Sequence, residues 1–282
     1  MLRIGSYELG IQVTDRFRLD GGAMFGTIPK VLWSREIEAD ISNRIQLVCR
    51  ILVIRDGSKL ILVDLGMGEK WNEKEQEMFA IEPAHEKPLA ERIVGVTDII
   101  LTHLHFDHAA GVSRINQTGE ATLTFPQAKH FLSKKNYLHA GKPGPRERAS
   151  YLASDRGALE RGKLSFTEDG NEIYPGIRAF FVDGHTHGLQ WILIGEGKGA
   201  VAYPADLIPT AHHLPIPYVM GYDLCAETSM REKEVFLKRA MENEWIVVFE
   251  HDSKTAAATV NVDKKGRYCV GEVVDFPEFP IL

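Results

Sequence analysis

Four side chains of the kind that bind metals crowd into six residues where a short apolar run stops. Residues 101–111 read LTHLHFDHAAG, with His103, His105, Asp107 and His108. The preceding residues 94–102 (VGVTDIILT) read as a short buried strand, so the cluster is predicted to begin at a strand end. Imidazole and carboxylate are the donors that divalent transition metals such as Zn²⁺ favour, and alternate residues on an extended turn can aim at one point. Four donors this close cannot all serve one tetrahedral ion. His103 and His105 therefore suit one metal, while Asp107 and His108, after the chain turns, suit a second. Two ions need further ligands, and three candidates each follow an apolar run: His185 in VDGHTHG, Asp206 in YPADLIP and His251 in VVFEHD. The fold must bring several strand ends to one edge, where a rigid scaffold can hold such ligands.

The rest of the chain fits that demand. Residues 44–68 carry two β-branched runs around Asp56-Gly57-Ser58, a hairpin signal, with the second strand ending at Asp64. Helices are predicted near 72–79 and over 127–139, and a Gly/Pro/Arg loop over 141–148. Residues 177–182, 190–194, 200–203 and 245–249 read as strands. Between the last two, Ser229 is predicted to cap a helix with Glu232 at its third position. Strands come in groups with helices between them, which favours an α/β (α+β) fold with a helix-covered β-core. There is no linker-like tract and no repeat, so residues 1–282 are expected to form a single domain with an N-terminal extension of about 1–44.

Composition excludes several classes. A net charge of −6 gives no electrostatic case for nucleic acid, and no apolar stretch approaches the roughly 18 residues of a membrane span. The start, MLRIGSYELG, lacks a basic region followed by an apolar run, which leads to the expectation of a cytoplasmic protein. Cys49, Cys225 and Cys269 are odd in number and far apart, which fits a reducing compartment and excludes a thiolate zinc knuckle.

With these residues in place the chain resembles the metallo-β-lactamase-fold hydrolase superfamily, nearest to the N-acyl-homoserine lactonase-like group. The family's His-x-His-x-Asp-His motif matches residues 103–108 in full; Asp64 in LVDLG stands at its first motif, and His185, Asp206 and His251 at its third, fourth and fifth. The resemblance implies a four-layer αββα sandwich with the metals at one edge. It also implies that His103, His105 and His185 hold one ion, Asp107, His108 and His251 the other, and that Asp206 bridges them. Two divalent ions per chain follow, Zn²⁺ first, with Fe, Mn or Co as alternatives. Such a pair lowers the pKa of a bridging water from its bulk value toward about 7, and the hydroxide would open a lactone or other small ester. Asp107 and Asp206 are the implied catalytic residues, Asp107 orienting the nucleophile and moving its proton. Asp64 is expected to orient rather than ligate. Thr102, Thr186 and Asp252 are weighed evenly between fixing ring tautomers and capping local structure.

Departures from relatives narrow the reading. No cysteine stands in the second site, no glutamate at the second position of the motif, and only 31 residues follow His251, too few for a helical glutathione-binding domain. Some lactonases carry tyrosine three residues after the bridging aspartate, where this chain has Pro209; Tyr218 and Tyr222 are the substitutes available downstream. Residues 212–222 (HHLPIPYVMGY) are predicted to line a pocket through His212, Tyr218 and Tyr222. Residues 20–33 (DGGAMFGTIPKVLW), with Met24 and Phe25, are too apolar for a solvated loop: core or a homodimer contact ranks ahead of an acyl-chain wall. His187 is read as pocket lining, and His85, His130 and His139 as surface or helix residues. The expected partner is a small-molecule ester or lactone, with a phosphotriester or thioester as the alternative for the same fold and an inactive metal-binding regulator as the remaining class.

Overall fold

Among the described residues, runs of β-branched and aromatic residues become three sheets with helices around them, a mixed α/β fold. The structure, a computed structural model, describes residues 1–280. It divides into two compact units whose sequences interleave: unit 1 comprises Met1–Arg16, Cys49–Glu168 and the chain from Phe276, and unit 2 comprises Phe17–Val48 and Asp169–Asp275.

The sheet of unit 1 contains β1 (Leu2–Ile4), β2 (Tyr7–Asp20), β3 (Arg44–Asp56), β4 (Lys59–Val63), β5 (Glu82–Pro83) and β6 (Asp98–Ile100). A separate two-stranded pair, β7 (Ser113–Ile115) and β8 (Ala121–Leu123), precedes β9 (Lys129–Ser133) and β10 (Lys163–Thr167). The main order is β1-β2-β3-β4-β6-β9-β10, with β5 on β2. β3 and β4 form the expected hairpin, Asp56 opposite Lys59, with Gly57 at φ 51° in the turn. β4, β6, β9 and β10 run parallel, so the carboxyl ends of β4 and β6 meet at one edge. Val63 pairs with Ile100, which sets Asp64 beside the start of the histidine motif. Ile51, Val53, Leu62, Ile99, Leu101 and Leu132 are among the side chains of the core beneath.

Unit 2 carries β11 (Glu172–Tyr174), β12 (Ile177–Val182), β13 (Leu189–Ile194), β14 (Val201–Tyr203), β15 (Ile246–Val248), β16 (Ala257–Val262) and β17 (Tyr268–Val273), in chain order across the sheet. β13 runs antiparallel to both β12 and β14, and β14 is parallel to β15. β12, β14 and β15 therefore point the same way, and the segments that follow them, carrying His185, Asp206 and His251, leave from one edge. The helix Ala226–Glu242 packs Phe236 edge-on against Trp191, their centroids 5.0 Å apart, and Trp191 lies 5.8 Å from Trp245.

Several sequence expectations need correction. Residues 127–139 are not one helix: β9 comes first, and the helix is Lys134–Ala140, capped by Ser133. His130 is consequently a buried strand residue, flanked by Ile99 and Leu164. The late helix begins at Ala226 with Cys225 at its N-cap, so Ser229 lies inside it, and Glu232 does not close a capping box. The strand over 94–102 shortens to Asp98–Ile100.

Candidate metal centre

Backbone geometry at the end of β6 turns four motif side chains into one buried set in unit 1. Thr102 enters first. Its N–H donates to Asp64 Oδ1 at 2.7 Å and its hydroxyl to Asp64 Oδ2 at 2.7 Å. A hydroxyl has one proton, so Thr102 Oγ1 can only accept from His103 Nδ1, 3.1 Å away. His108 Nδ1 lies 3.1 Å from the same Asp64 oxygen. One carboxylate thus holds two imidazoles at Nδ1, His108 directly and His103 through Thr102, and both rings present Nε2. Asp64 is fully buried and sits at φ 59°, the strain that aims its carboxylate into the motif. Asp64 and Thr102 act here as orienting residues.

The remaining motif residues complete this set. The donor atoms of His103 and His105 lie within 4.8 Å of one another, and so do those of Asp107 and His108. His105 precedes the short helix Phe106–Ala109, which carries Asp107 and His108. Asn136 Oδ1 accepts the N–H of Leu104 at 3.0 Å, pinning the backbone between the first two histidines. Gly111 closes the turn: a Cβ there would stand 2.3 Å from the Leu65 carbonyl, so no larger residue fits.

Unit 2 builds the second set. Asp206 sits in the 3₁₀ turn Ala205–Leu207, with Oδ2 3.1 Å from His185 Nε2 and Oδ1 3.3 Å from His251 Nε2. Its two oxygens therefore address two different imidazoles. Each ring is held at the opposite nitrogen: His185 Nδ1 by Asp223 Oδ1 at 2.9 Å, and His251 Nδ1 by the Val48 carbonyl at 2.8 Å. Burial alone would lower the His185 pKa, but the carboxylates of Asp206 and Asp223 outweigh it and raise the pKa to about 10. The turn bearing His185 is gripped by Glu232, which accepts from the N–H groups of Asp183 and Gly184 at 2.8 and 2.9 Å. Gly184 has to be glycine, since a Cβ would lie 2.3 Å from Ser229 N.

All five histidines are buried, and four have a ring nitrogen at hydrogen-bond distance from an oxygen that sets its orientation, Thr102 for His103, Asp64 for His108, Asp223 for His185 and the Val48 carbonyl for His251, while His105 Nε2 lies 3.5 Å from Glu147 Oε2. That is how proteins prepare metal ligands. Each set, taken by itself, has the donor chemistry of a divalent transition metal.

The loop after Asp206 is held firmly. Lys233, buried in the helix Ala226–Glu242, donates to the carbonyls of His213 (2.9 Å), Pro215 (3.0 Å) and Tyr218 (2.7 Å). Burial lowers its pKa to about 7, with Asp223 opposing the shift. His213 lies between Thr210 Oγ1 and the Met24 carbonyl and stacks on Phe25, their centroids 4.9 Å apart, and Phe25 stacks in turn on Trp33. Met24 and Phe25 are each 1% exposed; they are core residues behind the loop and not a solvent-facing wall. His212 and Tyr218 are half-buried and Tyr222 is 37% exposed. Pro209 gives its carbonyl to the N–H of His251 at 2.9 Å. Asp252 accepts from the N–H groups of Ala211, Lys254 and Thr255, a structural role. His187 is exposed, and His139 belongs to the helix Lys134–Ala140.

Replacing Lys233 with methionine should cost on the order of 3 kcal/mol, because three carbonyls lose their shared buried donor. Faster amide exchange confined to residues 210–222 is expected beside unchanged metal content; unchanged exchange there would remove Lys233 as the clamp.

Sequence reasoning did not single out Asp223, Glu147 or the Val48 carbonyl. A model of the metallo-beta-lactamase superfamily matches residues 44–251. Among solved structures, a probable metal-dependent hydrolase from Staphylococcus aureus shares 27% identity, with TM-score 0.83, covering 97% of this chain and 100% of that one. AidC, a dizinc quorum-quenching lactonase solved with a product, shares 22% identity, with TM-score 0.74, covering 97% of each chain. An N-acyl homoserine lactone hydrolase with N-hexanoyl-L-homoserine at its catalytic metal centre shares 21%, with TM-score 0.63, covering 87% of this chain and 93% of that one. No curated protein sequence matches.

Proposed function

The chain belongs to the metallo-beta-lactamase superfamily, and on that premise we propose that it is a dinuclear metal-dependent hydrolase that opens a lactone or another small ester, an acyl-homoserine lactone being the first candidate. The reading is carried by five buried imidazoles, four of them oriented by hydrogen bonds, together with an Asp206 whose oxygens face two different rings. His103, His105 and His185 would hold one ion and Asp107, His108 and His251 the other, with Asp206 shared. Zn²⁺ is the first choice for this set of imidazoles and carboxylates.

When bound, such a pair of ions supplies a Lewis acid for the ester carbonyl and a water acidic enough to attack at neutral pH. Asp107 then takes the proton of the attacking water on its carboxylate and returns it to the leaving oxygen, so that acid and alcohol are released with no net change in protons. Asp206 keeps the histidines of unit 2 in register. Pro209 offers no phenol, so Tyr218 or Tyr222 would supply one to the carbonyl oxygen, with His212 completing the polar lining.

Two structural neighbours being lactonases supports testing lactones first. Both units would work as one hydrolase domain. No helix among the described residues is long and apolar enough to cross a membrane. Three widely spaced thiols support a cytoplasmic setting, and Val31 and Leu32, exposed at 64% and 41%, support a homodimer contact in residues 20–33.

The test is a hydrolysis screen of the Zn²⁺-loaded protein over lactones, thioesters, phosphotriesters and β-lactams, with metal content measured alongside. About two ions per chain and fastest turnover on lactones are expected. Preference for a phosphotriester or thioester moves the substrate class, and one ion or none sinks the dinuclear reading. Within the screen, Tyr222→Phe should lower kcat/KM about 10-fold, the value of one hydrogen bond to the carbonyl oxygen, and leave metal content alone. If only Tyr218→Phe does so, that tyrosine has the role; if neither does, no phenol assists.

A further inference from the structure

Glu147 lies in the loop after the helix Lys134–Ala140 and is buried at 4% exposure. Its Oε1 accepts a hydrogen bond from His139 Nε2. Its Oε2 accepts from the Tyr151 hydroxyl at 3.4 Å and stands 3.5 Å from His105 Nε2. Tyr151 also forms a β-bridge with His105 and sets its ring edge-on to that imidazole, centroids 4.8 Å apart. Asn136, three residues before His139 and so on the same helical face, holds the N–H of Leu104. One face of a short helix thus fixes the backbone beside His105 and grips the carboxylate that meets its ring.

His105 differs here from its neighbours. His103 and His108 are held at Nδ1, by Thr102 and Asp64; the carboxylate at His105 lies at Nε2. At 3.5 Å the contact is ionic and not a made hydrogen bond, and in a buried setting of low dielectric the carboxylate's charge favours the tautomer that carries its proton on the facing nitrogen. We infer that Glu147, steadied by His139, is a positioning residue that keeps the His105 proton on Nε2 and so turns Nδ1 toward a divalent cation. The inference rests on the two-metal reading above, and it gives a task to His139 and to a Gly/Pro/Arg loop in which sequence patterns show none.

Two measurements test it. Long-range ¹H–¹⁵N NMR of the histidine rings in the metal-free protein should find His105 protonated at Nε2. Glu147→Ala should turn this into a mixture of tautomers, and Glu147→Gln, whose amide oxygen still accepts, should restore it in part. Co²⁺ titration followed by visible absorption should show one of two ions bound about 10- to 100-fold more weakly in Glu147→Ala, as for other losses of a ligand's supporting partner, with the other ion unchanged. Should Glu147→Ala fail to fold, His139→Ala carries the test, with a smaller loss in the same direction. An unchanged His105 tautomer together with wild-type Co²⁺ affinities overturns the inference. Wild-type protein that binds no Co²⁺ sinks the two-metal reading instead, and the tautomer measurement still decides what Glu147 does.

Discussion

Asp206→Ala should lower kcat/KM by about 10³-fold or more, since metal-ion catalysis is worth several kcal/mol of transition-state stabilisation and each 1.36 kcal/mol is tenfold. The carboxylate stands 3.1 Å from His185 Nε2 and 3.3 Å from His251 Nε2, so its loss removes a group that addresses both rings. Metal content should fall with activity. Asp206→Asn, which keeps the shape and loses the charge, should lie between the two in metal content and remain crippled in turnover. Mass-spectrometric metal counting beside lactone kinetics checks both, and wild-type turnover in Asp206→Ala would strike the residue from the mechanism.

Lys70→Ala should be the most destabilising change away from the ligands, at about 3–5 kcal/mol in urea unfolding, because it leaves a buried carboxylate without its cation. Lys70 Nζ donates to Asp155 Oδ1, to the Ala110 carbonyl at 2.7 Å and to Ser113 Oγ at 2.8 Å, and so ties the chain just past the histidine motif to the helix Ala153–Glu160. Burial pushes the Asp155 pKa up to about 6, against the pull of Lys70, and burial likewise pushes Lys70 down. The sign of the pH effect follows. A carboxyl raised from 3.8 to about 6 in the folded state contributes stability that is complete below 3.8 and is lost as pH rises through about 6. Without Lys70 that pKa climbs further, so the variant's deficit should be small at pH 5, where Asp155 is protonated and neutral, and larger at pH 8. A deficit independent of pH would show that the ion pair is not its source.

Local signals in the chain were reliable where a single element explains them. The Asp56-Gly57-Ser58 hairpin, the helix near 72–79 and the strands β12, β13 and β14 follow from turn residues, helix-forming charged residues and β-branched runs. They failed where tertiary pairing decides. KHFLS reads equally well as the start of a helix, and it becomes β9 because β6 and β10 offer parallel partners on both sides. Ser229 and Glu232 have the spacing of a capping box, yet Glu232 is more useful to the backbone of the His185 turn. His130 shows the same override: enclosed between two strands, it is driven by burial to a pKa of about 4 and stays neutral.

The amino-acid sequence by itself determined the donor types and their places. Five histidines and two aspartates follow strand ends at spacings that leave little chemistry open besides divalent metal, and these are short-range features written in adjacent residues. Only the tertiary structure decided which nitrogen each imidazole presents. The partners that settle it lie far off in the chain: Asp223 is 38 residues from His185, and Val48 is 203 from His251. The Val48 partner is a backbone carbonyl, which every residue possesses and no sequence pattern can mark, and Glu147 reaches His105 only because a short helix brings its loop back over the motif. A hydrogen-bonding partner is chosen by distance and direction in space, so the donor residues are legible in the sequence and their orientation is a property of the fold.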